Sequence, residues 1–270
     1  MAYTAQAARS VEDARPGPDR EPAPRVLLSV VSHGQADLVQ GLLEDIRAGW
    51  DPDGLHLVLT QNLPEHEPPG LRNLPFPVTV IRNLRPKGFA ENHNTAFEAV
   101  ASDYFCVLNP DIRCSDDPLP GLIDGLEHAR DGLVAPQVVS PAGTPEDSAR
   151  RRMTPVRILR RVLARAGGGD YELSHQPIQP DWVAGMFMLL RASAFRAVGG
   201  FDPRYRLYCE DADLCLRLWA GGWRVRLLPW VRAVHDARRQ SHRDGRYLRW
   251  HVTSLLRFFV RHPIDRRNQT

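Results

Sequence analysis

The sequence predicts an α/β fold with a mostly parallel central sheet, and two observations support this class. Short, continuous apolar runs of the strand type alternate with segments of helical periodicity through the first half of the chain. The composition is that of an ordinary folded protein, with 43% hydrophobic and 25% charged residues among 270. No apolar window is long enough for a transmembrane helix, and the four cysteines show no CxxC spacing. A wholly disordered chain and a disulfide-stapled miniprotein are therefore excluded.

The first half is predicted to contain four strands and two helices. Residues 1–24 combine prolines with charges and lack the apolar core of a secretory signal, so we expect a disordered tail and a reducing, cytoplasmic location. Val26 to Val31 is a continuous apolar run, typical of a strand buried on both faces. The elements that follow are a helix over 35–48, strands over 55–60 and 78–81, a helix over 89–100 and a strand over 104–108.

The second half begins with a stretch rich in proline and glycine, over 140–180, which predicts a flexible basic loop. The arginines of its 150–165 segment alternate with apolar residues and favour a short amphipathic helix. The predicted elements after it are a strand over 182–190, a helix over 210–220, a strand over 223–228 and a final helix over 247–260.

These patterns predict two halves between two terminal segments. The disordered tail covers residues 1–24, the first half 25–135 and the second half 136–241. A basic amphipathic helix is expected within 242–270, where apolar residues alternate with arginines.

Charge is divided unevenly along the chain. Residues 1–149 carry 11 basic and 22 acidic side chains, whereas residues 150–270 carry 24 basic and 10 acidic ones. The basic second half therefore suggests an anionic partner, which could be a nucleic acid, a membrane surface or a phosphorylated substrate. Lys87 is the one lysine, a bias that a GC-rich genome explains, although arginine also suits bidentate contacts with phosphate.

Polar residues follow four consecutive predicted strands, where a parallel sheet binds its ligands. They are Ser32-His33-Gly34, Gln61-Asn62, Asn83 through Gly88, and Asn109-Pro110-Asp111. Together they favour a ligand crevice over ordinary turns. Asp111 follows a buried strand and a rigid turn, so it is a candidate ligand for a hard divalent cation that also holds phosphate. The alternative is that Asp111 caps the following turn.

Three carboxylates, Glu210, Asp211 and Asp213, fall in the first turn of a predicted helix. The helix dipole alone explains acids there, but one member of such a cluster can have a raised pKa and accept a proton. Successive helical residues point about 100° apart, so they cannot all face one substrate hydroxyl, and we expect Asp213 to be a capping or packing-side acid. His235 ends another strand, and the arginine pair that follows it, Arg238 and Arg239, could contact phosphate.

The ordered set of motifs resembles the inverting family 2 glycosyltransferases, and is most similar to the bacterial rhamnosyltransferase-like members that build surface polysaccharides. The resemblance covers roughly residues 26–242. The motifs are Arg85-Pro86-Lys87-Gly88-Phe89 with Asn92 and Asn94, Leu108-Asn109-Pro110-Asp111, Trp182 through Met188, Gly199-Gly200-Phe201-Asp202, Glu210 through Arg217, Gly222-Trp223, and His235.

The resemblance implies a GT-A fold, in which one half binds a sugar nucleotide and the other an acceptor. It implies that Asp111 holds Mg²⁺ or Mn²⁺ against the diphosphate, with His235 nearby, and that Asp211 is the general base. The acceptor-side residues it implies are Trp182, Gly185, whose missing side chain leaves room for sugar, and Glu210. The donor-side residues are Ser32, Gln61, Asn62, Lys87, Gly88, Asn92, Asn109 and Arg239.

Two residues depart from the family pattern. Many relatives carry Asp-Asn-x-Ser after the second strand, where this chain has Gln61-Asn62-Leu63-Pro64. Gln61 can still accept from a pyrimidine N3–H through its carbonyl. Asn109 replaces the first acid of the metal motif, which is common among rhamnosyl-type members.

The implied reaction is direct displacement at the anomeric carbon, with Asp211 taking the proton of the acceptor hydroxyl. The expected donor is dTDP-L-rhamnose, with UDP-hexoses as the alternative, and the expected acceptor is a glycan on a polyprenyl diphosphate. Peripheral contact with an anionic inner membrane would suit the basic helices. Packing on the core and a homodimer interface are equally compatible with the final helix.

Two other functions compete with this interpretation. A sugar nucleotidyltransferase would carry a Gly-rich, basic loop after its first strand, where this chain has Ser32-His33-Gly34-Gln35. An RNA-binding module would use the basic second half, but its aromatic residues form no cluster of the RNP type. A nucleic-acid partner is therefore not expected.

Overall fold

Strands and helices alternate in a computed structural model that describes residues 25–164, 169–172, 174–236 and 245–263. The strands are β1 (Val26–Ser32), β2 (Leu55–Gln61), β3 (Val78–Arg82), β4 (Tyr104–Leu108), β5 (Ile112–Arg113), β6 (Asp131–Val139), β7 (Ala149–Arg150), β8 (Trp182–Val183), β9 (Phe187–Arg191) and β10 (Arg224–His235). The α-helices are α1 (Ala36–Gly49), α2 (Phe89–Ala99), α3 (Leu119–Asp124), α4 (Pro155–Ala164), α5 (Ala192–Ala197), α6 (Glu210–Ala220) and α7 (Gly245–Arg261). A short 3₁₀ helix spans Pro69–Asn73.

Eight of these strands form one sheet in the order β3-β2-β1-β4-β9-β6-β10-β5. Strand β1 pairs in parallel with β2 and β4, β2 with β3, and β6 with β10. Strand β9 runs antiparallel to both of its neighbours, and β5 runs antiparallel to β10. Six strands therefore share one direction, which confirms the predicted, mostly parallel sheet. Strands β7 and β8 pair separately.

Apolar side chains cover both faces of the sheet. Every residue of β6 is buried, and in β1 only Val31 is partly exposed, as expected for strands with helices on both sides. On one face Leu42, Leu43 and Ile46 of α1 pack on the sheet. On the other face the core contains α2, α6 and a group of rings centred on Phe195. Both cores end at the carboxyl edge of the parallel strands, where the polar residues begin.

The predicted strand over 182–190 is wrong, because two strands with a turn between them occupy this stretch. Strand β8 ends at Val183 and β9 begins at Phe187. Between them, the Ala184 N–H donates to the carbonyl of Ser148 and the Gly185 N–H donates to the carboxylate of Asp211. These bonds replace a continuous ladder, so the chain turns at Gly185 instead of extending through it.

Strand β6 is absent from the predictions and crosses residue 135, where the sequence placed the boundary between the halves. Its Pro136 is a residue that usually marks an edge or the end of a strand. Here Pro136 pairs with Leu228, next to an irregularity in β10. The stretch over 140–180 also holds more regular structure than a loop, since β7 and the expected helix α4 both lie within it.

Buried carboxylates tie α7 to the core. Asp213 is fully buried and accepts hydrogen bonds from His262 at 2.8 Å and Arg217 at 2.7 Å. Arg261 lies 3.0 Å from both Asp213 and Asp202. Burial alone would raise the pKa of Asp213, but its hydrogen bonds and the neighbouring cations leave that pKa below its ordinary value. Asp213 therefore lies on the packing side of α6.

We expect Asp213→Ala to lower the free energy of unfolding by about 3 kcal/mol, because it leaves cations partly buried without their partner. Urea denaturation measures this loss.

The Arg204 hydrogen bond lowers the pKa of Asp202 to about 2, and the pKa of Asp213 is also lowered. Their contribution to stability is therefore fully present above pH 4 or so and is lost as the pH falls towards 2. Stability that stayed constant over this pH range would contradict these assignments.

Candidate functional site

Three asparagines, Asn62, Asn83 and Asn92, form one network that joins the ends of β2 and β3 to α2. Asn62 Oδ1 accepts from the Lys87 N–H and from Asn83 Nδ2, both at 2.8 Å, and Asn62 Nδ2 donates to the Lys87 carbonyl at 3.0 Å. Asn83 Nδ2 also donates to Asn92 Oδ1 at 2.7 Å. Asn92 is buried, yet its Nδ2 has no partner within the described part of the chain. Such a donor is available to a ligand at this edge of the sheet.

Gly88 fixes the loop that carries Lys87. A Cβ at Gly88 would lie 2.6 Å from the carbonyl oxygen of Arg206, so a side chain does not fit between the two loops. The Phe89 N–H donates to that same carbonyl. The Lys87 ammonium is partly exposed and lies 3.4 Å from Glu91. The loop before α2 is therefore held against the segment that leads into α6.

Ser32, Gln61 and Asn109 also lie at this edge, where Ser32 and Gln61 take part in local turns and Asn109 makes a contact between elements. Ser32 Oγ accepts from the N–H of Gln35. Gln61 Nε2 points to the carbonyls of Glu65 and His66 at 3.5 and 3.4 Å. The Asn109 N–H donates to the carbonyl of Met186, which joins the end of β4 to the turn before β9.

Asp111, His235 and Glu146 form a chain of contacts at the end of β10. Asp111 Oδ2 lies 3.2 Å from His235 Nε2, and His235 Nδ1 lies 2.7 Å from Glu146 Oε2. Burial would lower the pKa of His235, but its bonds with the two carboxylates prevail and raise the pKa to about 9. The imidazolium therefore donates from both nitrogens in this arrangement.

The Asp111 carboxylate can coordinate a cation. Its Oδ1 is buried and has no hydrogen-bond partner among the described residues, so one carboxylate oxygen is left for a ligand. A carboxylate with open positions beside it suits a hard divalent ion that also binds phosphate and water. The described residues hold no group of three or more convergent ligating side chains, so substrate oxygens and water would complete the coordination.

Asp211 accepts backbone hydrogen bonds with both of its carboxylate oxygens. Oδ2 accepts from the Gly185 N–H at 3.1 Å and Oδ1 from the Ala212 N–H at 2.8 Å. A Cβ at Gly185 would lie 3.1 Å from Phe89 Cζ and 3.7 Å from the Asp211 Cβ. The missing side chain of Gly185 thus makes room for the Phe89 ring and lets Asp211 approach the turn. Asp211 remains partly exposed, as a group that meets substrate must be.

Backbone strain places the two acids at the start of α6. Tyr208 and Cys209 have φ values of 71° and 68°, in the left-handed region that residues with side chains rarely occupy. These two residues redirect the chain so that Glu210 is buried while Asp211 stays accessible. Such strain persists only where surrounding contacts hold it, and it is typical of functional sites.

Glu210 and Asp211 differ in how their charged forms are stabilised. Burial and then the charge of Asp211 raise the pKa of Glu210 well above its ordinary range, and Glu210 Oε2 has no partner among the residues described. Burial also raises the pKa of Asp211, but the N–H groups of Ala212 and Gly185 and then the charge of Arg150 oppose that rise. When the two carboxyl groups together hold one proton, that proton therefore resides on Glu210, and Asp211 is the ionised carboxylate.

Trp182 lies in the core beneath the site. Its side chain is buried, and its indole N–H donates to the carbonyl of Arg151 at 3.0 Å. The Arg150 guanidinium lies over the indole ring, 5.3 Å from the centroid. Trp182 therefore packs against the side chain of Arg150, and the charge of Arg150 opposes the rise that burial causes in the pKa of Asp211. Arg239 falls outside the described residues.

Sequence reasoning missed two residues of this site. Glu146 contacts His235 from 89 positions away, and nothing in its sequence neighbourhood identifies it. The sequence does not distinguish Arg150 from the other arginines of the basic segment, whereas in the structure its charge opposes the rise that burial causes in the pKa of Asp211. A separate cavity of about 510 Å³ lies at the β5–β10 edge, and none of the candidate residues lines it.

Comparison with known sequences identifies relatives over most of the chain. A family model described as glycosyl transferase family group 2 matches residues 110–263. Rhamnosyltransferase WbbL of Escherichia coli is 31% identical over 88% of this chain and 94% of its own length. The N-acetylglucosaminyl-diphospho-decaprenol L-rhamnosyltransferase of Mycobacterium tuberculosis is 30% identical over 64% of this chain and 59% of its own length.

Solved structures share the fold. A mannosyltransferase of Pyrobaculum calidifontis in complex with GDP-Man and Mn²⁺ superposes with a TM-score of 0.60 at 18% identity, over 92% of this chain and 67% of that one. GalNAc-T7 with UDP, GalNAc and Mn²⁺ gives 0.59 at 15% identity, over 84% and 46%. The predicted GT-A fold is thereby confirmed. Together with the family match, these relatives establish that the chain is a glycosyltransferase and belongs to family 2.

Proposed function

We propose that this protein is an inverting, metal-dependent transferase that moves L-rhamnose from dTDP-L-rhamnose to a hydroxyl of a lipid-linked or polysaccharide acceptor. One observation carries the proposal. The carboxylate of Asp211, aligned by two backbone N–H groups, lies at the same sheet edge as the Asp111–His235 pair. A base and a candidate cation site at one edge suit a displacement in which a diphosphate leaves, because a bound cation neutralises charge on the leaving group.

In the proposed reaction the acceptor hydroxyl oxygen attacks the anomeric carbon as the bond to the diphosphate oxygen breaks. Asp211 takes the hydroxyl proton, and the nucleoside diphosphate departs with the electron pair of the broken bond. Attack from the side opposite the leaving group inverts the anomeric configuration. The hydrogen bonds from Gly185 and Ala212 orient the Asp211 carboxylate before the acceptor arrives, and they oppose the rise in its pKa that burial causes.

Asp111 and His235 would hold the divalent cation, whose chemistry is to neutralise charge on the diphosphate. Binding at His235 Nε2 requires that nitrogen to lose its proton, while the Nδ1–H keeps its bond to Glu146. Two structural neighbours were solved with Mn²⁺, which supports a divalent cation in the proposed reaction.

The orientation of Gln61 supports a pyrimidine nucleotide. Its Nε2 faces two backbone carbonyls, which leaves its Oε1 as the acceptor for a base. Thymine and uracil both present an N3–H donor to such an acceptor. A UDP-hexose donor is therefore the second candidate, and the rhamnosyltransferase relatives favour dTDP-L-rhamnose.

A donor screen tests this proposal. The protein is incubated with dTDP-L-rhamnose, UDP-hexoses and GDP-mannose, each with Mn²⁺ or with EDTA, and release of the nucleoside diphosphate is measured with an acceptor present. We expect dTDP release that depends on both acceptor and metal. Equal release in EDTA would contradict the metal assignment, and release of UDP alone would favour the second candidate.

We expect Glu146→Ala to weaken Mn²⁺ binding by about 10–100-fold, because the histidine loses the carboxylate that orients its ring. Glu146→Gln retains an oxygen acceptor for the Nδ1–H and should restore part of the affinity. Titration calorimetry with Mn²⁺ measures both values independently of turnover. Glu98→Ala, on an exposed position of α2, is the matched control. Unchanged Mn²⁺ affinity in Glu146→Ala would refute a role for Glu146 in the cation site.

A further inference from the structure

Helix α7 carries apolar side chains on two faces. Phe258 and Ser254 are buried against the core. Val252, Leu256 and Val260, spaced four residues apart, are 47%, 62% and 84% exposed. Residues at this spacing lie in one row along a helix, so α7 presents a continuous apolar stripe away from the core. Arg249 and Arg257 are also exposed on this helix.

Helix α4 repeats the same combination. Val156 and Leu159 are 58% and 57% exposed and lie three residues apart on one side of the helix. Arg157 and Arg160, the residues that follow them, are exposed as well. Folding against the rest of the chain leaves these apolar side chains in contact with solvent.

The two helices meet at one end. Arg152, just before α4, donates from Nη2 to the carbonyls of Pro263 at 3.1 Å and His262 at 3.4 Å, just after α7. We call the exposed set the basic apolar surface. Its members are Val156, Arg157, Leu159 and Arg160 of α4, with Arg249, Val252, Leu256 and Val260 of α7.

We propose that the basic apolar surface docks on an anionic lipid bilayer. Charge complementarity favours an anionic bilayer, because the surface lies in the half of the chain with 24 basic and 10 acidic residues. Arginines also flank its apolar rows. Helices of this kind lie in the membrane interface, with apolar side chains inserted and cations against lipid phosphates. The core of a protein–protein interface, in contrast, is depleted of charged residues. No helix in the described ranges is long and apolar enough to cross a bilayer.

Bilayer docking would bring the acceptor to the base, and this step rests on the proposed function. Ser254 Oγ of α7 donates to the Leu207 carbonyl at 2.9 Å, and the ring of His251 lies 4.8 Å from that of Tyr208. One contact is to Tyr208, which is strained, and the other is to Leu207, directly before the strained pair that leads to Glu210 and Asp211. A helix lying on the membrane is thus in direct contact with the segment leading to the proposed base, which suits an acceptor anchored by a polyprenyl chain.

Vesicle co-sedimentation tests the docking surface. We expect the full chain to bind phosphatidylglycerol vesicles, to bind less at high ionic strength, and not to bind phosphatidylcholine vesicles. Two double variants, Leu256→Gln with Val260→Gln and Arg157→Glu with Arg160→Glu, should each lower the bound-to-free ratio by about tenfold or more. All changed side chains are exposed, and far-UV circular dichroism checks that the fold is retained.

Leu84→Gln and Arg47→Glu are the matched controls, since both side chains are exposed on elements outside the basic apolar surface. They should bind vesicles as the wild type does. Absence of binding, equal binding to both lipids, or an equal loss in the controls would overturn the proposal. A dimer in light scattering that the Leu256→Gln and Val260→Gln pair dissociates would also overturn it, because a second copy would then cover the stripe.

Measuring rhamnosyl transfer to a soluble acceptor without vesicles separates this inference from the proposed function. Transfer by a protein that does not bind vesicles would refute the docking proposal and leave the enzyme assignment intact. Vesicle binding without transfer from any nucleotide sugar would do the reverse.

Discussion

If Asp211 is the proposed general base, Asp211→Asn is expected to lower kcat by about 10²–10⁴-fold, the range typical of lost general-base catalysis. The variant keeps the size of the side chain but cannot take the acceptor proton. An asparagine oxygen can still accept from Gly185 or Ala212, so the turn before β9 should stay folded. Calorimetry with dTDP and Mn²⁺ should give an affinity close to that of the wild type.

Glu210→Gln is the matched comparison for Asp211→Asn. Because the shared proton belongs on Glu210, a neutral amide at position 210 resembles the working state, and we expect a much smaller loss of kcat. An active Asp211→Asn with an inactive Glu210→Gln would show that Glu210 is the base. A loss of donor affinity in Asp211→Asn would instead indicate a role in positioning or in metal binding.

Asp111→Ala is expected to lower turnover by at least about 100-fold, because charge stabilisation by a bound cation is worth several kcal/mol in such reactions. The substitution removes the carboxylate whose Oδ1 lacks a partner in the described part of the chain. His235 keeps its bond to Glu146, so the fold should survive. Turnover with and without EDTA and Mn²⁺ titration measure the two consequences. Asp124→Ala, at an exposed acid at the end of α3, is the control.

Wild-type turnover of Asp111→Ala in EDTA would refute the metal assignment. Turnover lost with Mn²⁺ affinity unchanged would place Asp111 in contact with the donor rather than the cation. Turnover and Mn²⁺ affinity lost together would support the site as described.

The sequence predicted those parts of the fold that local patterns determine. The apolar run of β1 and the helix α6 lie close to the predicted positions, because continuous burial and an acidic first turn are local signals. Strand β6 was missed because Pro136 normally interrupts a strand, and only its pairing with β10 accommodates it. The break at Gly185 depends on a bond to Asp211, 26 positions away, which no local pattern reveals.

In the candidate site, too, local motifs identified some residues, whereas tertiary packing determined others. Motifs pointed to Asp111, Asp211 and His235, and the structure places all three at the carboxyl edge of the parallel strands. The left-handed Tyr208 and Cys209 carry no glycine to signal their conformation. The contact of Glu146 with His235 likewise arises from tertiary packing alone. The neighbours of the predicted residues, and therefore the pKa shifts, required the fold.

The configuration of the transferred sugar tests the central claim most directly. The protein, with Mn²⁺, is given dTDP-L-rhamnose and a glycan acceptor linked to a polyprenyl diphosphate, and the one-bond C1–H1 coupling of the product is measured by NMR. Single displacement with Asp211 as base predicts a rhamnoside of configuration opposite to the donor, formed in step with dTDP release. A product that retains the donor configuration, or no transfer of rhamnose under these conditions, would contradict it.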